Sequence, residues 1–329
     1  MKQSELGTSG LSISPICLGT MTFGRPVAEA EAIQMVHGAI DLGINFIDTA
    51  NVYEGYDRVL GSAGGVAEEI LGKAIKDRRD QVIVATKVCA PVGPGPGDRG
   101  LSAAHILEQV DHSLRRLQVD VIDLYIMHWP DKLTPLEESL TAMDQAVKQG
   151  KVRFLGSSNH DAAQLCEMLW IAERNNLAPI VSSQIPFSLL RREFHHDLNF
   201  CSEKNICVTP YQPLQGGLLT GKYRRDEQPP GESRGADKPQ WLWELDDDLF
   251  DRLEGLEQLA ADANLSMAQF SLAWALSQPA IGSLVVGATR LEQVQQAVAA
   301  AEATLSDELL LRVDAICPPP WTQPDPIRG

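Results

Sequence analysis

The residues of this chain best suited to chemistry are Asp48, Tyr53, Lys87 and His128. Each stands at or just past the end of a short apolar run, over 44–48, 82–87 and 121–128, that reads as a β-strand. In a fold of parallel strands the C-terminal ends meet at one mouth. A carboxylate, a phenol, an ammonium and an imidazole delivered there make a proton-donating site, and that is the chemistry of carbonyl reduction. Taken singly, each residue has a simpler role. A lysine ending a strand is commonly solvated, a loop tyrosine commonly packs, and a histidine before Trp129-Pro130 can cap a core. Arrival of all four at one rim is what points to function.

The elements that must hold them follow from the period of the apolar residues. Strand-like runs at 16–20, 44–48, 82–87, 121–127, 152–156, 180–184, 206–211 and 283–287 alternate with stretches of helical period. The latter cover 29–42, 66–76, 102–117, 135–149, 162–175, 193–204, 266–277 and 291–303. Ser102 and Ser266 are the expected N-caps, and Gly43 and Gly150 fall where helices should stop. Eight strands and eight helices predict an α/β fold, a (β/α)8 TIM barrel, with 1–329 as a single barrel domain. Residues 4–13 read as an N-terminal β-hairpin with a glycine turn, able to plug the barrel floor. A 222–264 insertion between strands seven and eight, carrying Trp241 and Trp243, is the kind of long connection that forms a lid or binding loop. Beyond residue 305 the pattern gives an extra C-terminal helix, then Pro318-Pro319-Pro320-Trp321, which proline keeps extended so that it can lie across a surface.

The chain of 329 residues is 44% hydrophobic and 22% charged, within the range of soluble globular proteins. No stretch approaches the apolar length of a membrane span, and Met1-Lys2-Gln3-Ser4-Glu5 lacks the apolar core of a secretion signal, so a cytoplasmic protein is expected. Six cysteines without CxxC spacing predict reduced thiols and no metal site. A net charge of −16 repels nucleic acid and anionic membrane surfaces, so any anionic cofactor needs a local basic pocket.

At this point the motifs resemble a family, the aldo-keto reductases, from about Leu6 to near Leu311. The resemblance rests on Leu18-Gly19-Thr20-Met21-Thr22-Phe23-Gly24, Gly43-Ile44-Asn45-Phe46-Ile47-Asp48-Thr49-Ala50-Asn51-Val52-Tyr53, Ala85-Thr86-Lys87 and Ile122-Asp123-Leu124-Tyr125-Ile126-Met127-His128. Gly156-Ser157-Ser158-Asn159, Gly216-Gly217-Leu218-Leu219-Thr220-Gly221-Lys222-Tyr223 and Gly287-Ala288-Thr289-Arg290 continue it in order. It implies Tyr53 as general acid and Lys87 as the cation that makes the phenol more acidic. Asp48 would orient Lys87, and His128 would hydrogen-bond the carbonyl oxygen.

The resemblance also implies NADPH as cofactor. Ser158, Asn159 and Gln184 would hold the carboxamide, and Tyr211 would stack on the nicotinamide. Gly19, Thr20 and Met21, with Pro213 and Leu214, would line the same groove. Gly216, Gly217 and Lys222 would meet the pyrophosphate, while Gly287, Thr289, Arg290 and Gln293 would take the adenosine end, with Arg290 on its 2′-phosphate. Gln296-Ala297 departs from the family's usual amide or acid followed by asparagine, which leaves the adenine edge without one partner. Phe23, Tyr56 and Trp129 are the expected walls for a small-molecule carbonyl substrate, with Cys89 nearby. Two other readings stay open: a cofactor-sensing subunit of the kind found among potassium-channel beta subunits, and a cofactor-free enzyme using Lys87 as a Schiff-base amine.

Overall fold

In this computed structural model the structure describes residues 1–231 and 233–320, so Trp321 lies outside the described residues. Two short strands, β1 (Ser4–Glu5) and β2 (Ser12–Ile13), pair antiparallel as the expected hairpin. The eight expected strands follow as β3 (Ile16–Gly19), β4 (Phe46–Asp48), β5 (Ile83–Val88), β6 (Ile122–Met127), β7 (Val152–Ser158), β8 (Ile180–Gln184), β9 (Cys207–Val208) and β10 (Leu284–Gly287). They form one parallel sheet in the order β10-β3-β4-β5-β6-β7-β8-β9. Isolated bridges from Val208 to Ile281 and from Tyr211 to Val285 join its ends, closing the barrel. β9 is shorter than 206–211 because Pro210 has no N–H for the ladder, yet Thr209 N and Tyr211 N still reach Ser183 O and Ile185 O.

Helices α1 (Glu29–Asp41), α2 (Val66–Ile75), α3 (Ala103–Leu117), α4 (Leu136–Lys148), α5 (Ala162–Asn175) and α6 (His195–Glu203) alternate with the strands. Within and after the insertion come α7 (Arg234–Asp237), α8 (Asp247–Asp262), α9 (Met267–Leu276), α10 (Leu291–Ala300) and the extra α11 (Asp307–Ile316). The expected caps are present: Ser102 Oγ accepts from His105 N and Ser266 Oγ from Gln269 N. Gly43 and Gly150 follow α1 and α4 with φ of 87° and 72°, ending those helices in the left-handed region.

The two-residue period of the strands divides the apolar side chains into two cores. Outward residues such as Ile47, Val84, Tyr125 and Met127 pack under the helices. Inward residues Cys17, Phe46, Ile83, Ala85, Leu124, Ile126, Val181, Cys207 and Val285 fill the barrel, with Leu6 and Ile13 of the hairpin sealing its floor. Counting on by two from Phe46, Ala85 and Ile126 reaches Asp48, Lys87 and His128, so these polar groups form the top layer above an apolar column. No helix among the described residues is long and apolar enough to cross a membrane, and all six cysteines are unpaired.

Candidate active site

Lys87 is the hub of the top layer and is fully buried. Its Nζ lies 2.5 Å from Asp48 Oδ1, 2.8 Å from Thr49 O and 3.2 Å from Tyr53 Oη. Asp48 reaches it because register pairs Asp48 with Ala85, and Lys87 projects inward two residues further along β5. Tyr53 sits on the turn after β4, held by Tyr53 N to Ala50 O and Ala67 N to Tyr53 O. The His128 ring meets the Tyr53 ring edge-on at 5.9 Å and stacks on Trp129 at 3.8 Å. His128 Nδ1 is buried without a hydrogen-bond partner among the described residues. The four residues expected to act together are therefore in one cluster.

Burial sets their protonation. It is the largest influence on Tyr53 and carries the phenol pKa above its ordinary value, although Lys87 pulls it down; Asp48 adds to the rise. This corrects the expectation of a phenol made more acidic in the resting site: Lys87 acts in the anticipated direction, but desolvation outweighs it. For Lys87, burial works against the ammonium, yet Asp48 and Tyr53 together raise its pKa. Burial, then the charges of Lys87 and Arg58, drive His128 well below its usual range, so its ring is neutral. The resting cluster is thus a protonated phenol, an ion pair and a neutral imidazole.

The strand that carries Lys87 is fastened from behind. Thr86, pointing outward, donates to Glu68 Oε1 at 2.5 Å, and Arg116 Nε on α3 donates to Glu68 Oε2 at 2.7 Å. Sequence reasoning passed over this buried ion pair. Its signal was an acid on the apolar face of α2, among Ala67, Ile70 and Leu71.

The residues expected to hold a nicotinamide also converge. Asn159, at φ 61°, donates through Nδ2 to His128 O and to Ser158 Oγ, and its Oδ1 accepts from Tyr211 Oη at 2.7 Å. Gln184 differs from expectation in one respect: its Nε2 donates to Asp48 Oδ2 at 2.9 Å, so it also orients the carboxylate. Gly19 packs against Val285, and Thr20 binds Asp48 O through both N and Oγ1, while Met21 lies on the turn beyond. Pro213 and Leu214 lead into a tight 3-10 turn, Gln215–Thr220, in which Gly216 and Gly217 adopt φ of 67° and 98°.

The turn after β9 and the start of α10 have the chemistry of a phosphate site. Gly217, at φ 98°, takes a backbone conformation that favours glycine and lies close beside the Lys222 ammonium, whose Nζ would be 2.9 Å from a Cβ there. Lys222 has its pKa lowered by burial and then by Arg234 and Arg290, which means three cations gather here in a strongly acidic protein. Gly287 ends β10, and Thr289 N and Oγ1 donate to Gln293 Oε1 at the start of α10. Clustered cations, exposed backbone and a helix N-terminus fit a polyphosphate anion. Ala297 is buried in α10, facing the core.

The expected substrate residues do not all reach the mouth. Phe23 is withdrawn into the outer core, fully buried and bridged to Val27, because the turn after β3 folds back on itself. Trp129 remains 43% exposed. Tyr56 accepts from Arg234 Nη2 at 3.1 Å and meets the Trp241 ring edge-on at 5.4 Å, so the insertion reaches across to the turn after β4. Cys89 stands at the rim with φ 136°, its thiol pushed up to about 11 by burial and therefore neutral.

The Aldo/keto reductase family model matches residues 15–317. A Bacillus subtilis protein named uncharacterized oxidoreductase YrpG is 35% identical over 328 residues, covering 97% of each chain. An Arabidopsis thaliana protein named probable voltage-gated potassium channel subunit beta is 34% identical over 307 residues, 90% of each chain. The Bacillus subtilis aldo-keto reductase YhdN is 32% identical over 303 residues, 90% of this chain and 87% of that one. This chain belongs to the aldo/keto reductase family. Family and oxidoreductase relatives together support oxidoreduction as its general chemistry.

Proposed function

We propose that this protein reduces aldehydes or ketones to alcohols with NADPH, Tyr53 being the general acid. The observation that carries the reading is the contact of Lys87 Nζ with both Asp48 Oδ1, at 2.5 Å, and Tyr53 Oη, at 3.2 Å. Ser158, Asn159, Lys222 and Arg290 would hold a reduced nicotinamide dinucleotide, which would supply the hydride. The chain does the rest. Burial keeps the phenol protonated until a carbonyl oxygen gains negative charge. As Tyr53 gives up its proton, the forming phenolate meets the Lys87 ammonium, which Asp48 and Thr49 O hold in place. Neutral His128 can donate a hydrogen bond to the same oxygen and orient it. Arg290, Lys222 and the Gly216-Gly217 turn favour the phosphorylated dinucleotide. Net charge of −16 supports a small-molecule substrate over nucleic acid or anionic membrane surfaces as partner.

The test is a panel of carbonyl substrates assayed with wild type and Tyr53→Phe, with NADPH and NADH binding followed by cofactor fluorescence. The variant should keep cofactor binding and lose about 10²-fold or more in kcat; unchanged rates would remove Tyr53 from the mechanism. The relatives named as potassium-channel beta subunits support a second reading, a cofactor-sensing subunit on the same barrel. Tight NADPH binding with almost no turnover of nitrobenzaldehydes would favour it.

A further inference from the structure

The turn between β4 and α2 carries an arginine that the proposed reaction does not use. Arg58 Nη2 donates to Pro91 O at 2.6 Å, on the loop that follows the Lys87 strand, and this is its one hydrogen bond among the described residues. Its Nε is buried and has no partner. Neighbouring Arg25 is paired with Asp57 at 2.6 Å, and Arg225 is ringed by Asp247, Asp251 and Glu254, but Arg58 has no carboxylate within that reach among the described residues. Glu54 acts on it only from further away and accepts from Val59 N and Ser62 Oγ instead.

The charge of Arg58 is felt at the reacting end of the barrel, where it is one of the cations that keep His128 neutral. Charges there otherwise cancel: Lys87 is matched by Asp48, and Tyr53 and His128 are uncharged. Arg58 is thus a guanidinium without a direct ion pair among the described residues, with Glu54 acting on it only from further away, beside the mouth of a protein of net charge −16. A buried N–H with no acceptor is destabilising, so the tie to Pro91 O leaves the hydrogen-bonding capacity of Arg58 only partly used. On the same rim, Trp129 stacks on His128 with ring planes 12° apart and stays partly exposed, a platform for a flat molecule.

We propose that Arg58 is a specificity-determining residue for a carboxylate and that the substrate class is planar carbonyl compounds bearing that group, their flat part lying on Trp129. Carboxylate geometry matches a guanidinium with paired hydrogen bonds, here from its Nη end, where only Nη2 is engaged, by Pro91 O, among the described residues. The inference rests on the reductase reading and adds the substrate class to it.

A matched pair of aldehydes tests it: 4-carboxybenzaldehyde and 4-nitrobenzaldehyde are both flat and electron-poor, and they differ mainly in charge. Each is assayed with NADPH on wild type, Arg58→Met and Arg58→Lys. The ratio of kcat/KM, carboxylate over nitro, should fall about tenfold or more in Arg58→Met, mainly through KM, and recover in part in Arg58→Lys. Added salt should lower the ratio in wild type and leave it nearly flat in Arg58→Met. Because both aldehydes are read on the same preparation, a general loss of folding cancels. A smaller change in the ratio overturns the proposal and leaves Arg58 as a tie between two loops. If wild type reduces neither aldehyde, the reductase reading fails separately. Calorimetry of benzoate against benzamide then decides Arg58: benzoate binding lost in Arg58→Met supports the site, and equal binding overturns it.

Discussion

At the scale of single residues, the protonated phenol and the buried ion pair have different burdens. On the proposed mechanism Lys87 matters when negative charge moves onto Tyr53, so Lys87→Met should lower kcat by about 10²-fold or more while cofactor affinity changes little. Stopped-flow reduction paired with a cofactor titration reads both, and equal losses in the two would indicate collapse of the site instead. Asp48 has both oxygens committed, Oδ1 to Lys87 and Oδ2 to Gln184, so Asp48→Asn leaves the ammonium without its counter-charge. His160 offers a cleaner titration. Burial lowers its pKa from 6.5 to about 4, so on acidification the unfolded chain takes up a proton first. Stability should therefore be lost as pH falls from 6.5 toward about 4, by up to about 3 kcal/mol, and His160→Gln should flatten that part of the urea-denaturation profile.

At the scale of elements, two devices hold the barrel beneath the site. The hairpin closes the floor by bringing Gly7 against β8: a Cβ there would stand 2.2 Å from Val181 O, and φ is 57°. Gly7→Ala should cost about 2 kcal/mol or more in chemical denaturation, through both clash and backbone strain. The second device is the clamp of Glu68 between Thr86 and Arg116, joining α2, β5 and α3. Removing one side of a buried pair leaves the other uncompensated, so Glu68→Ala should cost about 3–5 kcal/mol, whereas a surface change such as Lys73→Ala, which breaks an exposed pair with Glu29, should cost under about 1 kcal/mol.

At the scale of the whole molecule, the barrel sorts charge. Acidic groups dominate its sum, while Lys222, Arg234 and Arg290 gather around the glycine turn after β9. Such a patch should give NADPH binding a clear dependence on ionic strength. The fluorescence-derived affinity is expected to weaken as salt rises from 50 to 500 mM, with NADH weakening less because it lacks the 2′-phosphate. The insertion contributes too: Arg234 and Trp241 lean on Tyr56, linking the far side of the barrel to the turn that bears Tyr53 and Arg58.

How much of this could be read from the chain depends on the range over which each feature is decided. Strand positions, their two-residue alternation, the caps at Ser102 and Ser266 and the stops at Gly43 and Gly150 are local, because backbone geometry imposes them within a few residues. From them alone came the barrel class and the placing of Asp48, Lys87 and His128 in one layer. Other features depend on atoms brought together from distant parts of the chain: the net rise in the Tyr53 pKa, the hold of Gln184 on Asp48, the withdrawal of Phe23 and the clamp on Glu68. Desolvation and long-range hydrogen bonds have no sequence period, so only tertiary packing decided which side chains face the mouth of the barrel and which support the wall behind it.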